Sequence, residues 1–210
     1  MQMYDLSDFR KNYSGKSLEL EHLPSNPYDL FKIWFDEAVK NEDGEANAIV
    51  ISTVDALNKP HSRVVLLKEF SSKGFVFFTN YNSAKGKQLT NNPHISLLFF
   101  WQKLQRQVRI EGQAQKLSTW QSDEYFYFRP VESQFGAMAS KQSEPLNDKK
   151  ELLNYFEQLK NENKPKRPKH WGGYIVKPEY FEFWQGQPNR LHDRVVYKFE
   201  QTWKKHLLYP

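Results

Sequence analysis

The sequence predicts a mainly β, α+β fold in which one antiparallel sheet or barrel carries helices at its periphery. Short segments rich in β-branched and aromatic residues follow one another from Ala46 to Leu117 and again from Tyr174 to Leu208. Helix-period segments are inserted only between some of them, which argues against regular βαβ alternation. The chain has 210 residues, with 16 Phe, 11 Tyr and 6 Trp. At that size folding buries about 70% of the extended chain's surface, enough for a substantial core without staples. We therefore expect one domain over residues 26–210, strands in 171–210 included, behind an N-terminal segment, 1–25.

Asn26-Pro27 supplies an N-cap and a first-turn proline, and Phe31, Trp34, Phe35 and Ala38 then recur on one helical face before Gly44. Ala48 to Val54 reads as a strand, Asp55 to Pro60 as a turn, and His61 to Phe70 as a second extended run. Ser71 to Gly74 turns the chain into a strand over Phe75 to Thr79. Ser83 caps a short helix that stops at Asn91-Asn92-Pro93. Ile95 to Trp101 and Arg106 to Leu117 are two more strands. Ser118 caps a helix through Phe128, ended by Pro130. Asn147 to Asn163 places Leu152, Leu153, Phe156 and Leu159 on one helical face. Beyond the basic, proline-broken stretch Lys164 to Lys169 come strands at Tyr174 to Val176, Tyr180 to Trp184, Arg190 to Phe199 and Trp203 to Leu208. The expected total is about eight strands and three or four helices.

Cysteine is absent, which excludes disulfide frameworks, thiol nucleophiles, iron–sulfur clusters and cysteine-based zinc sites. The six histidines show no metal-ligand spacing, so no metal is expected. Met1 to Leu23 lacks the apolar core of a signal peptide, and Leu97 to Trp101 is too short to span a bilayer, so a soluble, cytoplasmic protein is expected. The formal charge of +5 mildly favours anionic partners. Dinucleotide, phosphate-loop, nucleophile-elbow and zinc-protease signatures are all missing.

The strongest local pattern is Arg190-Leu191-His192-Asp193-Arg194, which in a strand projects residues 190, 192 and 194 from one face. That face is either an anion site, since guanidinium groups bind phosphate or carboxylate through paired hydrogen bonds, or a solvated edge strand. Arg63 and Lys68 bracket four apolar residues on opposite faces of an ideal strand. They are either surface cations or, given a bend or a second subunit, parts of one site. Tyr125 and Arg129 are helical neighbours with Ser133 beyond the proline, a phosphate-binding set or a surface tyrosine–arginine stack. Ser83 and Lys85 open a short helix, where an anion or simple capping accounts for them equally.

Taken in order, these segments resemble the pyridoxamine/pyridoxine phosphate oxidase family of FMN enzymes. The stretches that carry the resemblance are Arg63-Val64-Val65-Leu66-Leu67-Lys68, Phe77-Phe78-Thr79-Asn80, Arg106-Gln107-Val108, Arg129-Pro130 with Ser133-Gln134-Phe135-Gly136, Ser140-Lys141-Gln142-Ser143, and Phe183-Trp184-Gln185-Gly186 running into Arg190 to Arg194. The resemblance implies an antiparallel FMN-binding split β-barrel and a homodimer with one FMN in each of two interface clefts. It implies that FMN meets Arg63, Val64, Val65, Leu66, Leu67, Lys68, Phe78, Thr79, Lys85, Gln107, Gln142, Ser143, Trp184 and Arg194. The substrate phosphate would meet Lys68, Tyr125, Arg129 and Ser133, with Arg190 and His192 at the reacting carbon. Arg10 and Tyr13 match the family's substrate-covering N-terminal segment.

The implied reaction oxidises pyridoxine or pyridoxamine 5'-phosphate to pyridoxal 5'-phosphate. A hydride passes from C4′ to flavin N5, dioxygen becomes hydrogen peroxide, and the amine substrate also releases ammonia. Cations for two phosphates and a rigid cleft, with no nucleophile or metal, suit such chemistry. Two departures from the family pattern are Ala84, where a second basic residue usually precedes Lys85, and Phe78, often tyrosine. Losing one charge-assisted contact of that kind costs about 1.5–3 kcal/mol. The alternatives are another split-barrel flavin oxidoreductase, a non-catalytic flavin-binding protein, or a nucleic-acid module using the Lys164–Lys169 run, which we otherwise read as a solvated linker.

Overall fold

A computed structural model describes residues 4–9, 11–41, 44–162 and 164–210. The chain divides into two compact units. One comprises Met1–Ala46, Leu98–Ile110 and Glu179–Pro210, and the other Asn47–Leu97 and Glu111–Pro178. Among the described residues are nine strands and five α-helices, antiparallel wherever register is defined, as the sequence pattern requires. The strand order is β2-β1-β5-β6-β7-β4-β3, with β8 paired to β7 and β9 to β8. No helix among the described residues is long and apolar enough to cross a membrane.

In the second unit, β1 (Ala48–Val54) and β2 (Pro60–Leu66) form a hairpin, and β3 (Glu69–Ser71) pairs with β4 (Gly74–Asn80). The run expected from His61 to Phe70 is therefore interrupted. At the break, the Leu67 N–H donates to the Asn47 carbonyl (2.8 Å) and the Lys68 N–H to the Val76 carbonyl (2.8 Å). α2 (Ala84–Asn91) starts where expected, its Ser83 hydroxyl accepting from the Gly86 N–H. β5 (His94–Trp101) and β6 (Arg106–Lys116) follow, then α3 (Thr119–Phe128), whose Ser118 and Gln121 form a reciprocal capping box.

Pro130 ends α3 and then serves as the N-cap of α4 (Val131–Ala139), a helix the sequence reading did not assign. A proline reads locally as a stop, yet its fixed φ is equally suited to starting a helix. α5 (Lys149–Glu162) packs Leu159 against Phe135 and Ala139, with Leu152 and Phe156 alongside, while Leu153 is exposed. The apolar face of α5 is thus narrower than its sequence period suggested.

β7 (Trp171–Gln185) is one strand where two were expected. Its residues 171–176 pair with β4 and its residues 180–185 with β8 (Asp193–Glu200). Pro178 falls between the two ladders, so its missing N–H leaves neither neighbour unsatisfied. β9 (Thr202–Leu208) closes on β8. In the first unit α1 (Pro27–Asn41) lays Phe31 and Trp34 against Phe99 and Phe183 at ring separations of 5.1 and 5.3 Å. Each such buried aromatic contributes about 1.5–3 kcal/mol.

Candidate functional site

A cleft of about 630 Å³ opens in the second unit. β2 contributes Val64, Val65 and Leu66 to its wall and the link after it contributes Lys68, while Arg63 does not line it. Leu67 is buried and does not line this cleft. β4 contributes Phe78, Thr79 and Asn80, and the first turn of α2 contributes Lys85. Gly86 allows this approach: a Cβ there would lie 2.2 Å from the Tyr81 carbonyl oxygen.

Lys85 is only 9% exposed. Its ammonium donates to Gln142 Oε1 (2.9 Å), which also accepts from the Thr79 hydroxyl (3.2 Å). Among the described residues no carboxylate pairs with it. Burial first, and then the charge of Arg63, hold its pKa below the ordinary lysine value. Arg63 stands behind the cleft, its guanidinium donating to Thr53 Oγ1 (2.6 Å) and Gln88 Oε1 (3.1 Å), both neutral. Burial lowers its pKa too. Two desolvated cations without a counter-ion form a site that favours an anion.

The other side of the cleft is aromatic. Phe78 stacks on Tyr125 at 3.9 Å and on Trp171 at 5.5 Å, and the Arg129 guanidinium lies 4.8 Å over the Trp171 ring. Gly173, opposite Phe78 in register, leaves room for that ring, since a Cβ would come within 2.9 Å of it. Arg129 and Ser133 line the cleft from the α3–α4 turn. Arg129 Nη1 is buried without a hydrogen-bond partner, and desolvation lowers the group's pKa. The cleft thus has a second unmet need for an acceptor, at Arg129.

The first unit holds a pocket of about 680 Å³. Tyr13, Trp184, Arg190 and His192 line it together with Gln187 and Asn189. The Tyr13 ring meets Trp184 and His192 edge-on at 5.7 Å each, and Trp184 and His192 are 4.7 Å apart. The Gln187 N–H donates to His192 Nδ1 (3.0 Å), so the proton of the neutral ring resides on Nε2. Burial, then the Arg190 charge, lowers the His192 pKa, with Asp193 opposing.

The expected stripe of 190, 192 and 194 is not a strand face. Arg190 belongs to a single 3₁₀ turn, Pro188–Arg190, in which Asn189 and Arg190 have φ of 56° and 63°, and β8 begins only at Asp193. Arg194 points elsewhere: its Nε and Nη2 engage buried Glu182 Oε1 at 2.9 and 2.8 Å, and its Nη1 the Tyr209 carbonyl. Gln107 on β6 lines neither cavity, Ser143 is exposed with φ 74°, and Arg10 lies outside the described residues. The sequence reading missed Trp171, Asn80, Gln187 and Glu182. Of these, Trp171 is followed by two glycines and Asn80 stands in the Phe77–Asn80 stretch, whereas Gln187 and Glu182 carried no local signal.

A family profile described as "Pyridoxamine 5'-phosphate oxidase" matches residues 35–161, and one described as "Pyridoxine 5'-phosphate oxidase C-terminal dimerisation region" matches 171–210. The chain is 49% identical over 213 residues to a pyridoxine/pyridoxamine 5'-phosphate oxidase of Chromohalobacter salexigens, covering 99% of both chains. It is 50% identical over 194 residues to one from Bordetella pertussis, covering 92% of each. Among solved structures, PhzG from Burkholderia lata, in complex with tetrahydrophenazine-1-carboxylic acid, matches with a TM-score of 0.87 at 30% identity, over 94% of this chain and 100% of that one. An FMN-binding protein of Nostoc punctiforme, related to pyridoxamine 5'-phosphate oxidase, shares the fold with a TM-score of 0.73 at 13% identity, over 90% and 100%. The expectation of an antiparallel split-barrel sheet with peripheral helices is borne out.

Proposed function

The chain belongs to the pyridoxamine 5'-phosphate oxidase family, and from that premise we propose that it oxidises pyridoxine and pyridoxamine 5'-phosphates to pyridoxal 5'-phosphate with dioxygen, in vitamin B6 biosynthesis and salvage. Hydrogen peroxide is the co-product, and the amine also takes up water and releases ammonia. The observation that carries this reading is the pair of uncompensated cation sites in one cleft, Lys85 with Arg63 and Arg129 with its unpartnered Nη1. A cofactor phosphate and a substrate phosphate are the two anions required. FMN fits the first: Arg63 and Lys85 would hold its phosphate, with Val64, Val65, Leu66, Lys68, Phe78, Thr79 and Gln142 lining the cleft around the rest of it, and Leu67, Gln107, Ser143, Trp184 and Arg194, which lie outside this cleft, would complete its surroundings in the dimer. When bound, FMN supplies the two-electron acceptor that dioxygen regenerates.

Lys68, Tyr125, Arg129 and Ser133 bind the substrate phosphate in this reading, and Arg190 and His192 orient the ring and reacting carbon. With Nδ1 occupied by the Gln187 N–H, His192 offers its Nε2 proton as a hydrogen-bond donor. Residues 1–25, with Arg10 and Tyr13, cover the substrate. The matched C-terminal dimerisation region supports a homodimer with FMN in two interface clefts, and the absence of cysteine is consistent with a cytoplasmic location. Peroxide production from pyridoxine 5'-phosphate and from unphosphorylated pyridoxine tests the assignment. A preference of about tenfold or more in kcat/KM for the phosphate ester is expected from one charge-assisted contact set. Equal use of both would favour a different split-barrel oxidoreductase.

A further inference from the structure

Between α3 and α4 the chain turns in two residues, Arg129 and Pro130, and this turn presents both Arg129 and Ser133 to the cleft. The end of α3 leaves carbonyls without helical donors, and Pro130 has no N–H to offer. Gln134, only 4% exposed, supplies the missing donors. Its side-chain Nε2 donates to the Arg129 carbonyl (2.8 Å) and the Tyr127 carbonyl (3.3 Å), while its backbone N–H donates to the Pro130 carbonyl (3.1 Å). Gln134 follows Ser133 directly, and successive helical residues point about 100° apart, so Ser133 faces the cleft while Gln134 turns inward. Its Oε1 is buried and has no hydrogen-bond partner.

We propose that Gln134 is the positioning residue of the substrate-phosphate site: its amide clamps the α3–α4 turn and so sets where Arg129 and Ser133 meet the phosphate. This rests on the assignment of Arg129 to the substrate phosphate. Among the described residues the Arg129 guanidinium is held by its contact with the Trp171 ring, and its buried Nη1 has no protein acceptor, so its place in the cleft depends on its backbone. Gln134→Met keeps the side chain's length and removes both donors.

The test is a double-mutant cycle of Gln134→Met and Arg129→Ala in the flavin-loaded protein. It reads KM and kcat for pyridoxine 5'-phosphate and, independently of turnover, the Kd of pyridoxal 5'-phosphate by calorimetry. Arg129→Ala is expected to raise KM and Kd about tenfold or more. Gln134→Met is expected to raise both about five- to tenfold, with kcat reduced less than about threefold, and to add less than about twofold once Arg129 is alanine. A purely structural role would lower the melting temperature without that non-additivity. Where Gln134→Met fails to accumulate as folded protein, Gln134→Leu, a shorter side chain that also has no donor, enters the same cycle. Unchanged KM and Kd in the Gln134 variant, or full additivity with Arg129→Ala, overturns the proposal. No effect of Arg129→Ala itself overturns both the proposal and the phosphate assignment beneath it.

Discussion

Lys85→Met should separate the protein with cofactor from the protein without it. Methionine keeps the aliphatic stem and removes the ammonium, which has one neutral acceptor, Gln142, and a second cation, Arg63, nearby. With an anion bound, the lost contact is a charge-assisted hydrogen bond of about 1.5–3 kcal/mol, which raises the FMN Kd about 10- to 150-fold. A 100-fold weaker Kd removes about 2.7 kcal/mol of ligand-linked stability at fixed excess FMN. The melting-temperature gain from FMN then shrinks by about 5–10 °C for a chain of this size. Without FMN the sign reverses, because desolvation and Arg63 both oppose the charged form, and Gln142 is exposed and rehydrates. The cofactor-free variant should melt no lower than the parent.

The pH dependence follows the same logic. A lysine whose folded pKa lies below its ordinary 10.5 carries the full penalty below that folded value. The unfolded chain binds more protons between the two values, so the parent gains stability as pH rises through that window and the variant does not. Thermal scans with and without FMN, and a flavin fluorescence titration, measure all of this. Undiminished FMN affinity, or a strongly destabilised cofactor-free variant, would contradict this role of Lys85.

Three further outcomes follow from other parts of the structure. Gly15→Ala would place a Cβ 2.0 Å from Gln185 Nε2 and 2.5 Å from the Gly186 carbonyl oxygen. That overpacking, about 1–3 kcal/mol, should lift the 11–18 segment off its neighbour and speed tryptic cleavage at Lys11 and Lys16. Glu182 feels burial, which raises its pKa, but the hydrogen bonds from Arg109 and Arg194 win and hold it below 4.5. Its stabilisation is present above pH 4.5 and is lost as pH falls through the lower folded value. Glu182→Gln should lose about 3 kcal/mol in urea unfolding at pH 7 and show a shallower acid limb. Arg190→Gln removes a charge that disfavours protonation of His192, so the imidazole midpoint, followed by NMR, should move to higher pH.

What the sequence made legible, and what it did not, divides by range. Helix starts at Ser83 and Ser118 are local capping events and fell where the residues said. β1 is a β-branched run with burial alternating residue by residue, and its bounds match the expected ones. The break at Leu67-Lys68 depends on partners at Asn47 and Val76, and the continuity of β7 through Pro178 depends on a change of neighbour from β4 to β8. Neither is visible in a local period. Lys68, Lys85 and Arg129, singled out in the sequence, line one cleft, but periodicity misplaced Arg190 and His192 on a strand face. Left-handed backbone at Asn189 and Arg190 replaces that face with a turn. Glu182, a buried carboxylate that holds Arg109 and Arg194, had no pattern to announce it, and Gln134, though it stands in a stretch that carries the resemblance, gave no local sign that its amide would bond the α3–α4 turn.

The most direct measurement is the visible absorption spectrum of the purified protein, taken without oxygen before and after pyridoxine 5'-phosphate is added, and again after air is admitted. Flavin bands are expected that bleach with the substrate and return with air, with hydrogen peroxide formed. A protein that takes up no FMN, or whose flavin bands are unchanged by the phosphate ester, would contradict the oxidase assignment.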